Sequence, residues 1–343
     1  MKFIAGDIGG TKTVLAIYHA EGHLLTPVAE TTYPSATYPS LEAIVQRFFQ
    51  EQQVRGNDFA VATFGVAGPV VGGRATITNL PWVIDEGQMA ATLALPKVTL
   101  LNDLAAIASA IPTLPASDLA TIHAGTAAPQ GPIAVVAPGT GLGEAYLIHN
   151  GNHYRAYPSE GGHADFGPNS ATEMELLLFL QKKYGAIHHA HISWERVCSG
   201  SGIPNLYDFL KAQGKLHDDP ATTAEIAASH DRTPVIMTAA MRSDPCPLCR
   251  ATLNLFVDIL GSEAGNMALK VLATGGVYLG GGIPPRILSA LREPRFMHAF
   301  LNKGRLSTVL REMPVQVILN SKAALLGAAY HGMTQGSAGD SGE

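Results

Sequence analysis

Asp7-Ile-Gly-Gly-Thr-Lys-Thr lies between the apolar runs Phe3-Ile-Ala-Gly and Val14-Leu-Ala-Ile-Tyr and spells strand, glycine turn, strand. The same order returns at Ile133-Ala-Val-Val, Pro138-Gly-Thr-Gly-Leu-Gly143 and Glu144-Ala-Tyr-Leu-Ile. Two such openings in one chain point to a duplicated α/β design, with two unrelated hairpins as the alternative. A turn of this kind can hold a phosphate. Gly9 and Gly10 lack a Cβ, so the backbone is free to take positive φ and bring its N–H groups close to an anion, while Thr11 and Thr13 add hydroxyl donors. Asp7 then stands where a magnesium ion, or its water, would be. An ordinary hairpin turn is the plain reading of Gly-Gly between strands. Facing each other across a cleft, the two turns would hold a nucleotide's phosphates from both sides.

Periodicity predicts strands at 2–6, 13–18, 59–66 and 97–101, and a helix from Ser40 to Val54 burying Leu41, Ile44, Val45, Phe48 and Phe49. A further helix begins around Asn102, which places Asn102 and Asp103 at a strand's carboxyl end, where open α/β sheets bind ligands. Beyond the Pro-containing stretch from Pro112 to Asp118 the chain is richer in helices. Ser170 and Glu173 have capping-box spacing for a helix to about Lys183, and helices are expected at 204–212, 222–230, 234–242, 248–271 and 284–292. The long one buries Leu253, Phe256, Val257, Leu260, Met267 and Val271. A strand at 314–319 precedes Lys322-Ala-Ala-Leu-Leu-Gly-Ala-Ala-Tyr330, whose small residues permit close helix packing. Thr334 to Glu343, polar and Gly/Ser-rich, reads as a disordered tail.

A formal charge of −5 argues against general affinity for nucleic acid or anionic membranes. No apolar stretch approaches the roughly 18 residues of a membrane span, and the short run ahead of Asp7 is not a secretory signal. The three cysteines, Cys198, Cys246 and Cys249, form no disulfide framework, and a cytoplasmic location is expected. Cys246-Pro-Leu-Cys249 has metal-ligand spacing, with His188, His189 and His191 as distant candidates. It supplies two ligands where a structural zinc needs four, and a proline-rich turn before a helix is the plainer reading.

Asn102, Asp103, Glu160 and His163 in Glu160-Gly-Gly-His163, and Glu195 in Ser-Trp-Glu-Arg-Val-Cys-Ser-Gly form a polar set in the company of the two turns. Each has an ordinary reading: Asp103 as a helix cap, Glu160 as a solvated carboxylate, His163 as a surface imidazole, Glu195 on an exposed helix. Together they suit a small polyhydroxylated ligand, because carboxylates, an amide and an imidazole can serve several vicinal hydroxyls. Phosphate turns plus hydroxyl-reading groups mean phosphoryl transfer to an alcohol.

The sequence resembles the bacterial glucokinase family, in the zinc-free branch outside ROK, within the hexokinase, actin and heat-shock ATPase superfamily. Asp7-Ile-Gly-Gly-Thr-Lys-Thr resembles its first phosphate motif, Ala137-Pro-Gly-Thr-Gly-Leu-Gly143 its second, and Ala273-Thr-Gly-Gly-Val-Tyr-Leu-Gly-Gly-Gly-Ile283 its adenosine motif. Phe64-Gly-Val-Ala-Gly-Pro69 and the last helix resemble its connecting segments. ROK kinases follow the histidine with a cysteine-rich zinc motif, and Ala164 to Lys183 contains no cysteine.

That resemblance implies two ribonuclease-H-like α/β domains hinged about a cleft: a small one, 1–110 plus 320–333, carrying the first turn and the catalytic aspartate, and a large one, 111–319, carrying the second turn, the sugar loop and the adenosine motif. It implies glucose contacts from Asn102, Asp103, Gly139, Glu160, His163 and Glu195, with Asp103 as general base for the 6-hydroxyl. ATP and Mg2+ would be served by Asp7, Gly9, Gly10, Thr11, Lys12, Thr13, Gly139, Thr140, Gly141, Gly275, Gly276, Gly280 and Gly281. A homodimer is implied too. The alternatives are another hexose, an amino sugar or another phosphoryl donor, and, in a different class, an actin-like nucleotide switch.

Overall fold

Alternation along the first strand sets the architecture around it. β1 (Lys2–Ile8) sends Ile4 and Ile8 into one apolar cluster and Phe3 and Ala5 into clusters on the other face, so it is buried on both sides. The computed structural model describes residues 1–22, 24–77, 80–188, 191–217 and 219–337. The chain divides into two units, one made of Met1–Asp118, Leu147–Pro158 and the segment from Asn320, the other of Leu119–Tyr146 and Ser159–Leu319.

In the first unit β1 pairs antiparallel with β2 (Lys12–Glu21), and β2 antiparallel with β3 (Leu24–Pro34). Helix α1 (Leu41–Gln52) follows, capped by Ser40, and buries the five apolar residues expected of it against the Ile4 face. Then come β4 (Val61–Val66), the short strands β5 (Val70–Val71), β6 (Arg74–Thr76) and β7 (Val83–Asp85), α2 (Glu86–Leu93), β8 (Val98–Asn102) and α3 (Asp103–Ala110). The main sheet runs β3-β2-β1-β4-β8, with β1, β4 and β8 parallel. Sequence reasoning missed β3. It is a largely exposed edge strand with Pro27 beside a bulge, held by pairing rather than by an apolar face.

The C-terminal helix, Ala323–Ser337, lies on the other face, where Leu325, Ala328 and Ala329 meet Ala5, Ala16 and Tyr18. A Cβ at Gly327 would run into the Ala106 carbonyl of α3, so the small residues serve close packing of two helices within this unit. Residues 334–337, expected in a disordered tail, continue the helix, while 338–343 lie outside the described residues.

The second sheet has the order β12-β11-β10-β13-β14-β9, built from β9 (Leu119–His123), β10 (Ile133–Pro138), β11 (Leu142–His149), β12 (Tyr154–Ser159), β13 (Gly276–Leu279) and β14 (Val315–Ile318). Its helices are α4 (Ala171–His188), α5 (Ile203–Ala212), α6 (Pro220–Ala228), α7 (Arg232–Ala240), α8 (Pro247–Val271), α9 (Leu288–Leu291), α10 (Pro294–Leu301) and α11 (Ser307–Arg311). The α8 residues expected in the core are there, except that Val271 is only partly buried. The helix expected over 284–292 is broken: Pro284 and Pro285 lack N–H donors, so a 3-10 turn over Pro284–Ile287 precedes the short α9. Cys246 stands at the N-cap position of α8 and Cys249 lies buried in its first turn; none of Cys198, Cys246 and Cys249 is in a disulfide. Of the histidine cluster, His191 pairs with Asp165 at 3.0 Å and His189 lies outside the described residues. Among the described residues no group of three or more His, Cys, Asp or Glu could hold a metal, and no helix is long and apolar enough to cross a membrane.

Candidate active site

The first glycine turn is drawn tight from within. Gly9 N–H donates to the Lys12 carbonyl at 3.0 Å, and the Ser35 hydroxyl donates to the Gly9 carbonyl at 2.8 Å. Ser35 N–H bonds the Thr11 carbonyl, and its hydroxyl lies 3.0 Å from that of Thr13. Two expectations are corrected here. Neither Gly9 nor Gly10 has positive φ; a Cβ at Gly9 would press on the Lys12 carbonyl, so closeness and not handedness selects glycine there. Thr13 is fully buried with its hydroxyl on Ser35, so it shapes the turn from beneath and offers nothing to a phosphate. Thr11 and Lys12 are exposed.

Parallel pairing aligns Asp7 with Gly65, and Val66 with Asn102, so Asp7 stands at the carboxyl end of β1 and Asn102 and Asp103 at that of β8, with β4 between the two strands. Asn102, not Asp103, is the helix cap: its Oδ1 accepts from Leu104 N–H at 3.0 Å and Ala105 N–H at 3.4 Å, and its Nδ2 donates to the Gly68 carbonyl. Asp103 is thereby left as the exposed first residue of α3, with Oδ1 on Leu104 N–H at 2.8 Å. Burial, and then the charge of Asp103, push the partly buried Asp7 carboxyl above its ordinary value, and Lys12 pulls it the other way. Two carboxylates repelling each other beside an exposed lysine have the chemistry to hold a divalent cation, which would relieve the repulsion.

The second turn is clamped from outside. Gly139 N–H bonds the Gly141 carbonyl, while Gly200 and Ser201 donate to the carbonyls of Gly139 and Thr140 at 2.8 and 3.1 Å. Glu195 is not on an exposed helix; it lies partly buried in the 3-10 turn Trp194–Arg196, its Oε2 accepting from Leu142 N–H at 3.0 Å. A Cβ on Gly141 would strike that oxygen. The 3-10 turn Gly161–His163 packs on the same strand start, with Gly162 buried against Leu142. Trp194 N–H bonds the Ala164 carbonyl at 3.0 Å, tying this loop to the Glu195 turn. Glu160 and His163 stay exposed, 3.7 Å apart. Gly139–Gly141, Glu160, His163 and Glu195 thus share one corner of the second unit.

The adenosine motif divides. Gly280 N–H bonds the Val136 carbonyl, and Gly281, at φ +79°, leaves no room for a Cβ beside the Pro138 carbonyl, so both adjoin the second turn. Gly275 and Gly276 are at the entry of β13, packed on Gly131 and Pro314, about 13 Å away along the strand at the usual rise. They shape the strand's start.

Sequence reasoning missed Ser35, Gly200 and Ser201, the groups that hold the turns. Cys198-Ser-Gly-Ser-Gly202, three residues after Glu195, was the local signal of the clamp.

The family model for glucokinase matches residues 4–335. A curated glucokinase of Nostoc sp. is 40% identical over 337 residues, covering 95% of this chain and 97% of that one. The glucokinase of Synechocystis sp. is 40% identical over 354 residues, covering 96% and 97%. The crystal structure of a glucokinase from an Antarctic psychrotroph superposes with a TM-score of 0.81 at 32% identity, over 97% of this chain and 99% of that one. These relatives are sugar kinases of the actin-like ATPase fold, with which the two α/β sheets agree. The chain belongs to the glucokinase family.

Proposed function

We infer that the protein is an ATP-dependent glucokinase, transferring the γ-phosphoryl of ATP to the 6-hydroxyl of D-glucose to give glucose 6-phosphate and ADP. The observation that carries this is family membership running unbroken through both glycine turns and through every polar residue expected at the sugar. Transfers of this kind proceed through a loose transition state, so positioning and charge neutralisation matter more than covalent help.

Asp103 acts as the general base. Its exposed carboxylate at the start of α3 supports the role, since a base needs hydrogen-bond reach of the hydroxyl rather than a raised pKa. Asn102, Glu160, His163 and Glu195 read the remaining hydroxyls. The backbone of Gly9–Thr11 and Gly139–Gly141, with Thr11, Thr140 and Lys12, holds the phosphates, and Gly280 and Gly281 lie under the adenosine. Asp7 would hold the magnesium ion that accompanies ATP, which would supply charge neutralisation at the phosphates. The small domain, 1–110 plus 320–333, carries the base and the first turn in this reading, and 111–319 carries the rest. A homodimer in the cytoplasm completes it.

The test is ADP release with MgATP and glucose beside fructose, mannose and N-acetylglucosamine, and the same assay on Asp103→Asn. Glucose-dependent ADP is expected, with kcat in the variant lower by roughly 10²-fold or more and glucose affinity held within a few fold. An equally active variant removes Asp103 as base; indifference to all four sugars removes the kinase reading.

A further inference from the structure

Glu144, on β11, has no place in the reaction and an expensive position. Its side chain is 1% exposed, and neither carboxylate oxygen has a hydrogen-bond partner. It lies directly under the sugar loop: a Cβ on Gly161 would overlap its Oε2, with the Ser159 hydroxyl alongside. The group facing it is another acceptor, Glu263 of α8, which is fully buried. Glu263 is already supplied with donors, Lys270 Nζ at 3.2 Å on Oε1 and Asn266 Nδ2 at 2.9 Å on Oε2. A carboxyl with burial, a negative neighbour and no donor keeps a proton.

The proton therefore belongs on Glu144, where it turns an acceptor–acceptor clash into a hydrogen bond to Glu263. Its pKa is pushed up to about 8, by burial first, then by the Glu263 charge and the bond between the carboxyls, with Lys270 acting against them. The nearby Cys198 thiol is pushed up too, by burial and by both glutamates, so it stays uncharged.

We propose that Glu144 is a positioning residue for hexose binding: protonated and bonded to Glu263, it is the floor on which Gly161–His163 rests, and on losing its proton to solvent it unseats that loop. This rests on the reading of Glu160 and His163 as sugar contacts. Ionisation places a second negative charge beside Glu263, and the group pressed directly on that charge is Gly161, so the strain is relieved by moving the start of the loop. Hexose binds the protonated form better, so KM for glucose rises with alkaline pH. By linkage, glucose binding near the midpoint takes up a proton. The Asp103 step keeps its own pH profile.

The experiment measures kcat and glucose KM for wild type, Glu144→Gln and Glu160→Gln from about pH 6.5 to about pH 9.5. Glutamine keeps the size of the protonated acid and can donate to Glu263 but cannot ionise. Wild-type KM is expected to rise at least about threefold between pH 7 and pH 9, with kcat following the same profile in wild type and Glu144→Gln, while Glu144→Gln holds a flat KM. A wild-type KM that responds to Glu160→Gln yet ignores pH, or parallel KM profiles for wild type and Glu144→Gln, overturns the inference alone. A KM indifferent to Glu160→Gln overturns the sugar-loop reading and this inference with it. If Glu144→Gln does not fold, wild-type calorimetry of glucose binding at about pH 8 in buffers of different ionisation enthalpy decides: proton uptake supports the proposal, and none overturns it.

Discussion

Removing the Ser35 hydroxyl strips the first glycine turn of its internal brace. Ser35→Ala takes a donor from the Gly9 carbonyl and strands the Thr13 hydroxyl, since both Ser35 and Thr13 are fully buried. The first loss is worth about 1 kcal/mol and the orphaned hydroxyl about 1–3, so Ser35→Ala costs roughly 2–4 kcal/mol. Thr13→Val keeps the shape, leaves Ser35 on Gly9, and costs about 1 kcal/mol. In the double variant both ends of the Thr13–Ser35 bond are apolar and only the Gly9 carbonyl still lacks its donor, so it is no less stable than Ser35→Ala alone. The cycle then shows a coupling of on the order of 1 kcal/mol. Urea unfolding in a Trp194→Phe background reads it, because Trp82 then reports from the core of the first unit. Activity supplies a second readout: KM for ATP rises in Ser35→Ala while KM for glucose does not. Additive costs, or an unchanged KM for ATP, refute the claim that this buried pair holds the phosphate turn.

Asp7→Asn is expected to raise the thermal midpoint at pH 7 and to lower turnover at least about tenfold. The sign follows from its raised pKa: the stability Asp7 contributes is present in acid and lost as pH rises through that pKa, so at neutral pH its charge is a cost that Asn removes. A lower midpoint would refute it. His331 works in the opposite direction. Burial first, then Arg155, Lys97 and His153, pull its pKa from 6.5 down to about 4, so the unfolded chain takes the proton first and stability is lost as pH falls through that window. Thermal midpoints of His331→Gln should fall less steeply than wild type over that range, and equal slopes would refute this.

Glycine turns between apolar runs, the five buried positions of α1 and the core face of α8 were legible in the sequence, because strand alternation and helical period are local consequences of backbone geometry. The candidate site residues were chosen by their order along a family pattern, and Gly139–Gly141, Glu160, His163 and Glu195 fall within one unit. Their assignments were less legible. Asn102 took the cap that Asp103 could have taken, because helix α3 begins at Asp103 itself and the N–H groups of Leu104 and Ala105 turn toward Asn102. Thr13 went beneath its turn because β2 alternates and its neighbour across the register, Ile8, faces the same core. Gly276 and Gly280 parted because a strand extends about 3.3 Å per residue. The meeting of Glu144 with Glu263 under Gly161 has no local signal: sheet order and the packing of α8 bring together groups far apart in the chain. Local sequence sets which face a side chain takes, while tertiary packing decides which groups share that face, and with it which carboxyl keeps its proton.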